Sequence, residues 1–512
     1  MNINEQLSIM VQYNPHHPAY IFENQVTTYR EFLIEVNRVA SGLRTLGYKK
    51  GDHLALIAWN SPYFLVTMYA ALKIGAVIIP INPMYTPSEM KYILENGNVS
   101  AIIAMDVILK DLDVISDEIS FVRHIISCPT NSDIAHNTYS FAPRLYHFSH
   151  LIQSGDDEMI QSQVEADDPA IILYTSGTTG HPKGAVLSHR SVYYGAKSFA
   201  EHFNIKRGDR MITTLPMYHV FSLMVAVNGP LVHGATLLLM QDFSPNKVFR
   251  LAKAYQATVF AGVPTMFSYL LQNETDNQVK RESFQSIRCC ASGGAPFPVT
   301  LIEEFEKLFQ VPVIEGYGLT EAAPVSFNPL HGPTKHGSIG VPVPYMKARV
   351  VNEHGNAVGV GVEGELVVQG EAMMTAYYQQ PEDTAMAMRD GWFYTGDMAI
   401  QDEDGYFYII DRKKDVIIVN GYNVYPREIE EVLYSHPNVI EVAIIGGPHP
   451  DSGEEVIGCV VVDDKTITEE SLTNYCKRYL TSYKVPNRFE FMDELPRNTT
   501  GKILKTVLKS HV

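Results

Sequence analysis

Short runs rich in valine and isoleucine alternate with helix-period stretches through most of this chain, and that alternation limits its fold more than any other feature. Residues 170–174, 257–261, 287–291 and 311–315 each read as a strand, and each ends in a loop bearing glycine or proline. After the third run, residues 299–309 place Val299, Ile302, Phe305 and Phe309 on one helical face. Strand, loop and helix in repetition predict parallel sheets covered by helices. In such sheets the functional loops sit at the carboxyl ends of the strands, and the unusual residues of this chain fall there.

A chain of 512 residues is too long for one ordinary core, so two or more domains are expected. The pattern changes after Asp411. Pro426 opens a helix through Ile429, Val432 and Leu433, strands follow at 439–445 and 456–462, and Leu472, Tyr475, Cys476 and Tyr479 mark a further helix. This mixture reads as a small α+β domain, residues 412–512, behind the charged joint DRKKD, with residues 1–411 as the large domain. Residues 130–168 are polar, poorly periodic and acidic toward their end, and read as surface connections without chemistry. One stretch, FLVTMYAALKIGAVIIPI at 64–81, suggests a membrane span. Lys73, Gly75 and Pro80 divide it instead into a buried helix followed by a strand, so no transmembrane segment is expected.

A net charge of -17 argues against a nucleic-acid or anionic-membrane partner, because those need a basic face. It leaves room for a small anionic ligand, since a few local cations and a metal can set the potential of one cleft. Cys289 and Cys290 are adjacent, and Cys128, Cys459 and Cys476 show neither C-x-x-C nor zinc spacing. Scattered cysteines of this kind read as reduced thiols in the cytoplasm. The start, MNINEQLSIM, lacks the basic-then-apolar pattern of a secretory signal, so the N-x-[ST] triplets at Asn98, Asn273 and Asn498 are not expected to carry sugar.

The most informative short stretch is YTSGTTGHPKG, residues 174–184, which follows the strand-like AIIL. Gly177, Gly180 and Gly184 allow tight turns that aim backbone N–H groups at an anion. Thr175, Ser176, Thr178 and Thr179 add hydroxyl donors, and Lys183 adds charge. Kinase-type phosphate loops need G-x-x-x-x-G-K-[ST], whereas Lys183 is followed by Gly184. A merely flexible Ser/Gly loop is the plain alternative, and the full residue order speaks against it.

This stretch resembles the phosphate-binding signature of the adenylate-forming superfamily, which unites acyl- and aryl-CoA synthetases, peptide-synthetase adenylation domains and luciferases. EGYGLTE at 315–321, YTGD at 394–397, DRKKDVIIVNGYNVYPREIE from Asp411 and RNTTGK ending at Lys502 follow in the family's order and span nearly the whole chain. The hinge block looks most like bacterial long-chain fatty acid:CoA ligases. The resemblance implies an α/β fold: a large N-terminal domain of parallel sheets covered by helices with a small β-barrel-like part, and a small mobile α+β C-terminal domain. It also implies ATP and CoA as co-substrates, with Mg2+.

The chemistry accounts for the residues carried over. A carboxylate is a poor electrophile and must become a mixed anhydride with AMP before a thiol displaces it. Carboxylate and triphosphate repel each other, so cations and aligned donors are required. By its match, Lys502 would bridge the carboxylate and the α-phosphate; Glu321 would bind Mg2+, a hard cation that favours carboxylate oxygen; Thr320 would bond a phosphate. Tyr317 would stack on adenine, Asp397 would accept from the ribose hydroxyls, and Arg412 resembles the family's nucleotide-binding arginine. SGGAPFP at 292–298, with Gly293, Gly294, Ala295 and Pro296, resembles the adenine-contacting loop, and Glu315, Gly316 and Gly318 are placed with the nucleotide site. Taken singly, each would read as a capping Glu, a core Tyr or a turn Asp.

LPMYHVFSL at 215–223 matches the aromatic motif beside the acyl site, with His219 near the carboxylate. Tyr218, Val220, Phe221, Val263, Met266, Phe267 and Gly318 would form an apolar pocket. LPMYHVFSL offers no acid to pair an ammonium group, which favours a fatty or other apolar acid over an amino acid. Gly421 and Tyr422 resemble the loop lining the pantetheine tunnel, and Lys414 falls at the hinge about which the small domain would turn. Gly359, Gly361 and Gly364 satisfy G-x-G-x-x-G, yet a strand-like ELVV follows where a dinucleotide site needs a helix. His16 and His17 sit in a proline-bounded loop without further ligands nearby in sequence.

The leading expectation is a medium- or long-chain fatty acid:CoA ligase. The alternatives are a free-standing enzyme that loads a carrier protein, a ligase for another apolar (aryl or branched) acid, and a non-catalytic partner-binding protein. The sequence stops shortly past Lys502, so a fused carrier domain is not expected, which favours CoA. The competent residue at every motif position argues against the non-catalytic reading. The sequence leaves open whether two copies pair as a homodimer.

Overall fold

The computed structural model describes residues 2–130, 139–156, 164–175, 182–449, 452–464, 466–497 and 503–511. Two large sheets carry most of the chain. The nine-stranded sheet runs in the order Val341–Pro342, Ala322–Phe327, Val313–Leu319, Cys289–Ser292, Val259–Gly262, Arg210–Thr213, Thr236–Leu239, Pro18–Phe22, Gln25–Thr28. It is parallel from Val313–Leu319 to Pro18–Phe22 and antiparallel at both edges. The eight-stranded sheet runs Ala376–Tyr377, Lys183–Ser188, Pro169–Thr175, Val77–Pro80, His53–Ile57, Val99–Met105, His124–Cys128, Leu145–His147, with antiparallel pairing confined to its first three strands.

The expected helix-covered parallel sheets are therefore present. Residues 64–81 resolve into the helix Pro62–Ile74 and the strand Val77–Pro80, both buried, and among the described residues no helix is long and apolar enough to cross a membrane. Ser61 caps that helix by accepting from the Phe64 N–H, and Pro62 occupies its first turn, where a missing N–H costs nothing. Helix Val299–Phe309 buries Ile302, Phe305 and Phe309, while Val299 at its first turn is 36% exposed. Phe305 and Phe309 join Phe249, Phe260, Phe284 and Phe297 in an aromatic core on one side of the nine-stranded sheet.

A third, wholly antiparallel sheet of Met346–Val351, Gly364–Gly370, Trp392–Gln401, Met388–Arg389 and Phe407–Arg412 forms the small all-β part. Its Gly364–Gly370 strand occupies the place after Gly361 where a dinucleotide site would need a helix. The last sheet, Tyr422–Val424, Ile417–Val419, Gly453–Val462, Val439–His449 and Arg488–Phe491, is covered by the helices Pro426–Tyr434 and Glu469–Cys476 around its own apolar core. All five cysteines are free and buried.

Two expectations need correction. Residues 130–168 are more than surface connections: Leu145–His147 is the edge strand of the eight-stranded sheet, and helix Phe148–Ser154 packs on helix Tyr29–Thr45. Phe141, Phe148 and Leu151 are buried there, too few and too widely spaced to show as a period. The helix expected through Tyr479 ends at Cys476, and Tyr479 is 63% exposed against the ring of Tyr475.

Candidate active site

Strands Pro169–Thr175 and Lys183–Ser188 form an antiparallel pair with Thr175 opposite Lys183, so these two residues flank the mouth of the phosphate-loop hairpin. Ser176, Gly177, Thr178, Thr179 and Gly180 lie outside the described residues. Gly184 plays a different part from the one expected. It lies within the strand opposite Tyr174, and a Cβ there would come within 2.8 Å of Ile172 and 3.2 Å of the Tyr174 ring. The glycine makes room for cross-strand packing rather than for a turn. Lys183 Nζ is 2.9 Å from Asp383 Oδ2 and 5.4 Å from the centre of the Tyr377 ring.

The strand Val313–Leu319 carries Glu315, Gly316, Tyr317 and Gly318 and turns at Thr320 and Glu321. Glu315 is buried, and its Oε1 accepts the Phe297 N–H at 3.3 Å, which ties the 292–298 loop to this strand. No partner bonds its Oε2 among the described residues. Burial pushes its carboxyl up to about 7, against the weaker opposing pull of Arg427. In the same loop, a Cβ on Gly293 would lie 3.4 Å from Gly316 O and 3.5 Å from Phe221, and one on Gly294 would lie 3.5 Å from Val263. Ala295 and Pro296 follow at the rim. The 292–298 loop, the strand at Gly316 and the side chains of Phe221 and Val263 are thus one packed unit.

Tyr317, Asp397 and Arg412 meet from three strands. Tyr317 donates its hydroxyl to Asp397 Oδ2, and Arg412 Nε lies 3.0 Å from Asp397 Oδ1. Asp397 is 3% exposed. Burial, then the Asp397 carboxylate, push the Tyr317 phenol well above its usual range and keep it a donor. Burial works against the charge of Arg412, but Asp397, with smaller contributions from Tyr317, Asp415 and Glu321, together outweighs it and raises the guanidinium. Thr395 supports the turn by accepting the Asp397 N–H and donating to Leu366 O.

Glu321 and Thr320 are half-buried, and Glu321 Oε1 accepts from the Tyr377 hydroxyl at 2.7 Å. A half-buried carboxylate that shares Tyr377 with Lys183 suits a hard divalent cation bridging phosphates.

His219 lies at the amino end of a wide helical turn, Ser222–Asn228, of π type and wholly buried. Its Nδ1 accepts the Phe221 N–H at 3.3 Å, which places the ring proton of the neutral form on Nε2. Tyr218, Phe221, Val263 and Met266 are half-buried on the main core and Val220 is buried in it. Phe267 does not belong to this wall. It is fully buried in the second core, with ring centres 4.9 Å from Phe305, 5.1 Å from Phe297 and 5.4 Å from Phe260. Met266 and Phe267 are neighbours on helix Pro264–Gln272, and successive helical side chains face different directions.

Gly421 lies at the tip of a hairpin, and Tyr422 opens the strand that leaves it. Asn420 and Gly421 have φ of 51° and 81°, the two left-handed residues of a type I′ turn. Among the described residues nothing lies within 4 Å of a Cβ on Gly421 apart from its chain neighbours, and Tyr422 stacks on Tyr483 at 4.9 Å. Lys414 is exposed in the turn after Arg412, where Asp415 N–H returns to Arg412 O. Lys502 lies outside the described residues; beyond it Ile503 bridges to Arg497, and Lys505 Nζ is 2.7 Å from Glu430.

Five site residues escaped the sequence reading: Tyr377, Asp383, Glu365, Tyr425 and Arg427. Glu365 accepts the Gly396 N–H and pairs with Lys413. Tyr425 donates to Glu363 at 2.9 Å, and the Arg427 N–H donates to Asp411 Oδ2 at 2.9 Å, which fastens the small domain beside the joint. Tyr377, Asp383 and Glu365 sit in no quoted motif, whereas Tyr425 and Arg427 lie inside the block from Asp411 without a role read for them there.

Residues 9–378 match the AMP-binding enzyme family, and residues 428–502 match the AMP-binding enzyme C-terminal domain. The chain belongs to the AMP-binding enzyme family. The long-chain-fatty-acid–CoA ligase of Escherichia coli O157:H7 is 37% identical, and that of Bacillus subtilis (strain 168) 34%, each over 96% of this chain and 91% of the relative. The solved structure of ATP-bound MatB from Rhodopseudomonas palustris, 31% identical, superposes with a TM-score of 0.91 over 100% of this chain and 99% of that one. This member is an acyl-CoA ligase of the AMP-forming, acid–thiol type. Acyl-CoA ligases of the family use ATP and CoA as substrates and generally need Mg2+.

Proposed function

We propose that this chain is a cytoplasmic ATP-dependent fatty acid:CoA ligase for medium or long chains, acting through bound acyl-AMP. The observation that carries the reading is the shared wall: Phe221 and Val263 pack directly against Gly293 and Gly294, so an uncharged apolar surface begins where the nucleotide loop ends. An acid whose carboxylate reaches the α-phosphate would lay its remaining atoms on that surface, and an alkyl chain gains most from it. The names of the two bacterial relatives support the same substrate class.

In the first step a carboxylate oxygen attacks the α-phosphorus and the bond to the bridging oxygen breaks, releasing pyrophosphate. Lys502 would bridge the two anions, and Thr175, Lys183 and Thr320, with the 176–180 segment, would hold phosphate oxygens. Asp397 and Arg412 would fix the ribose and Tyr317 the adenine. Mg2+ held by Glu321 would offset phosphate charge as it builds. In the second step the CoA thiol attacks the acyl carbon and AMP leaves. Residues 1–411 would carry the nucleotide and acyl sites. Residues 412–512 would turn about Lys414 to bring first Lys502 and then the Gly421 hairpin to them.

Pyrophosphate release across straight-chain, aryl and dicarboxylic acids tests the reading, followed by CoA and a phosphopantetheinylated carrier protein as competing acceptors. Preference for straight-chain acids with CoA is expected. Preference for an aryl acid, or transfer to the carrier alone, would overturn it.

A further inference from the structure

We propose that Tyr377 is a positioning residue for the metal-binding carboxylate: its hydroxyl orients Glu321 and its strand ties that orientation to the phosphate loop. The inference rests on the reading of Glu321 as the Mg2+ ligand.

Residues 373–378 form a strap between the two large sheets. At one end, the Met374 N–H donates to Glu321 O at 2.7 Å and Met373 bridges to Ala322, so the strap holds the turn that ends Val313–Leu319. At the other end, Tyr377 lies opposite Ala185, and the N–H groups of Thr375 and Tyr378 donate to Val186 O and Gly184 O at 2.8 and 2.7 Å. Those acceptors belong to the strand that leaves the phosphate loop. One strap therefore sets the distance between the phosphate-loop strand and the Glu321 turn.

Tyr377 joins the functional groups at those two ends. Its hydroxyl donates to Glu321 Oε1 at 2.7 Å, the one side-chain hydrogen bond made to that carboxylate among the described residues. Its ring lies 5.4 Å from Lys183 Nζ, which Asp383 holds at 2.9 Å from the other side. Its own N–H donates to Thr384 Oγ1 at 2.9 Å, on the helix that also carries Asp383. A charge-assisted bond of this kind fixes the plane of a carboxylate and presents its second oxygen in one direction. The plain alternative is a packing tyrosine whose hydroxyl happens to find an acceptor. Tyr377→Phe separates the two, because it keeps the ring, the strand pairing and the contact with Lys183 and removes only the hydroxyl.

The test titrates Mn2+, followed by electron paramagnetic resonance, into wild type, Tyr377→Phe, Glu321→Gln and the double variant, each saturated with an ATP analogue carrying a methylene between its α and β phosphates. Tyr377→Phe should weaken Mn2+ binding on the order of 10-fold, as is usual for a group behind a ligand, with unchanged nucleotide affinity in the absence of metal and an unchanged thermal midpoint. The double variant should bind no more weakly than Glu321→Gln, because Tyr377 acts through that carboxylate. Wild-type Mn2+ binding by Tyr377→Phe, with Glu321→Gln impaired, would overturn the role of Tyr377 alone. Wild-type binding by Glu321→Gln would overturn the metal assignment beneath it.

Discussion

Arg412 Nε lies 3.0 Å from Asp397 Oδ1, and the two residues are register partners on adjacent antiparallel strands of the small all-β sheet. With Tyr317 on Oδ2, the carboxylate is oriented from both sides before any nucleotide arrives. A carboxylate can accept about four hydrogen bonds, so two acceptor positions remain for vicinal hydroxyls. Asp397 is paired with the strand that runs into the joint, so the proposed ribose site and the proposed hinge are parts of one piece of sheet.

Removing that carboxylate should cost nucleotide affinity before it costs chemistry. Hydrogen bonds to a charged group contribute roughly 1.5–3 kcal/mol each, so Asp397→Ala is expected to weaken ATP binding on the order of 100-fold. Calorimetric titration with ATP measures it directly. Wild-type affinity in that variant would remove Asp397 from the nucleotide site.

Glu315 gives a pH signature. Its ordinary value of 4.5 is raised to about 7 by burial in the fold. Between those values the unfolded chain releases the proton while the folded chain keeps it. The stability associated with this group is therefore fully present below 4.5, is lost as pH rises toward 7, and stays lost above. The size of the loss is on the order of 3 kcal/mol. Glu315→Gln cannot titrate, so its stability relative to wild type should climb across that window and then level off. The orphaned amide it introduces adds a constant offset, so the slope is what counts. Urea unfolding of both proteins at a series of pH values supplies the test, and a flat difference would show that the carboxyl is ionised throughout.

The sequence carried the layered fold because local pattern and global architecture agree: Val/Ile runs became parallel strands, and the 64–81 segment divided at Gly75, the left-handed cap of its helix, with Lys73 buried inside that helix. The reading of Asp397 came from its place in the YTGD match, since alone it would be a turn Asp, and the structure joins that residue to Arg412 and Tyr317. Phe267 was misread because an apolar residue beside a pocket motif has no sign of which way it faces, and helical rotation turned it into the second core. Tyr377 was invisible for a related reason. Its link to Glu321 spans 56 positions and two sheets, and no local spacing encodes such a contact.

Lys502 should affect chemistry rather than binding. The chain just past it is pinned by Lys505 to Glu430, on the helix whose first turn Asp411 caps through the Arg427 N–H. Lys502→Ala leaves those contacts in place. Pyrophosphate release is expected to fall by at least about 100-fold, the scale of losing one charge-stabilising group in a transition state. ATP affinity should stay within a few-fold. Near-normal pyrophosphate release would show that another group bridges the carboxylate and the α-phosphate.

Gly421 should separate the two half-reactions. It is the second residue of an Asn-Gly turn with φ of 81°, and among the described residues no atom beyond its chain neighbours lies within 4 Å of where its side chain would begin. A tryptophan there meets backbone strain of roughly 1–2 kcal/mol but no clash at its Cβ. Gly421→Trp should therefore release pyrophosphate normally and fail to form the thioester, because the indole fills the path of the pantetheine arm once the small domain has turned. Gly421→Asn, which tolerates the left-handed conformation, serves as the control for strain and should retain both half-reactions. Separate assays of pyrophosphate and acyl-CoA follow the two steps. Thioester formation by the tryptophan variant at the wild-type rate would mean that CoA reaches the acyl-adenylate by a route that does not pass this hairpin.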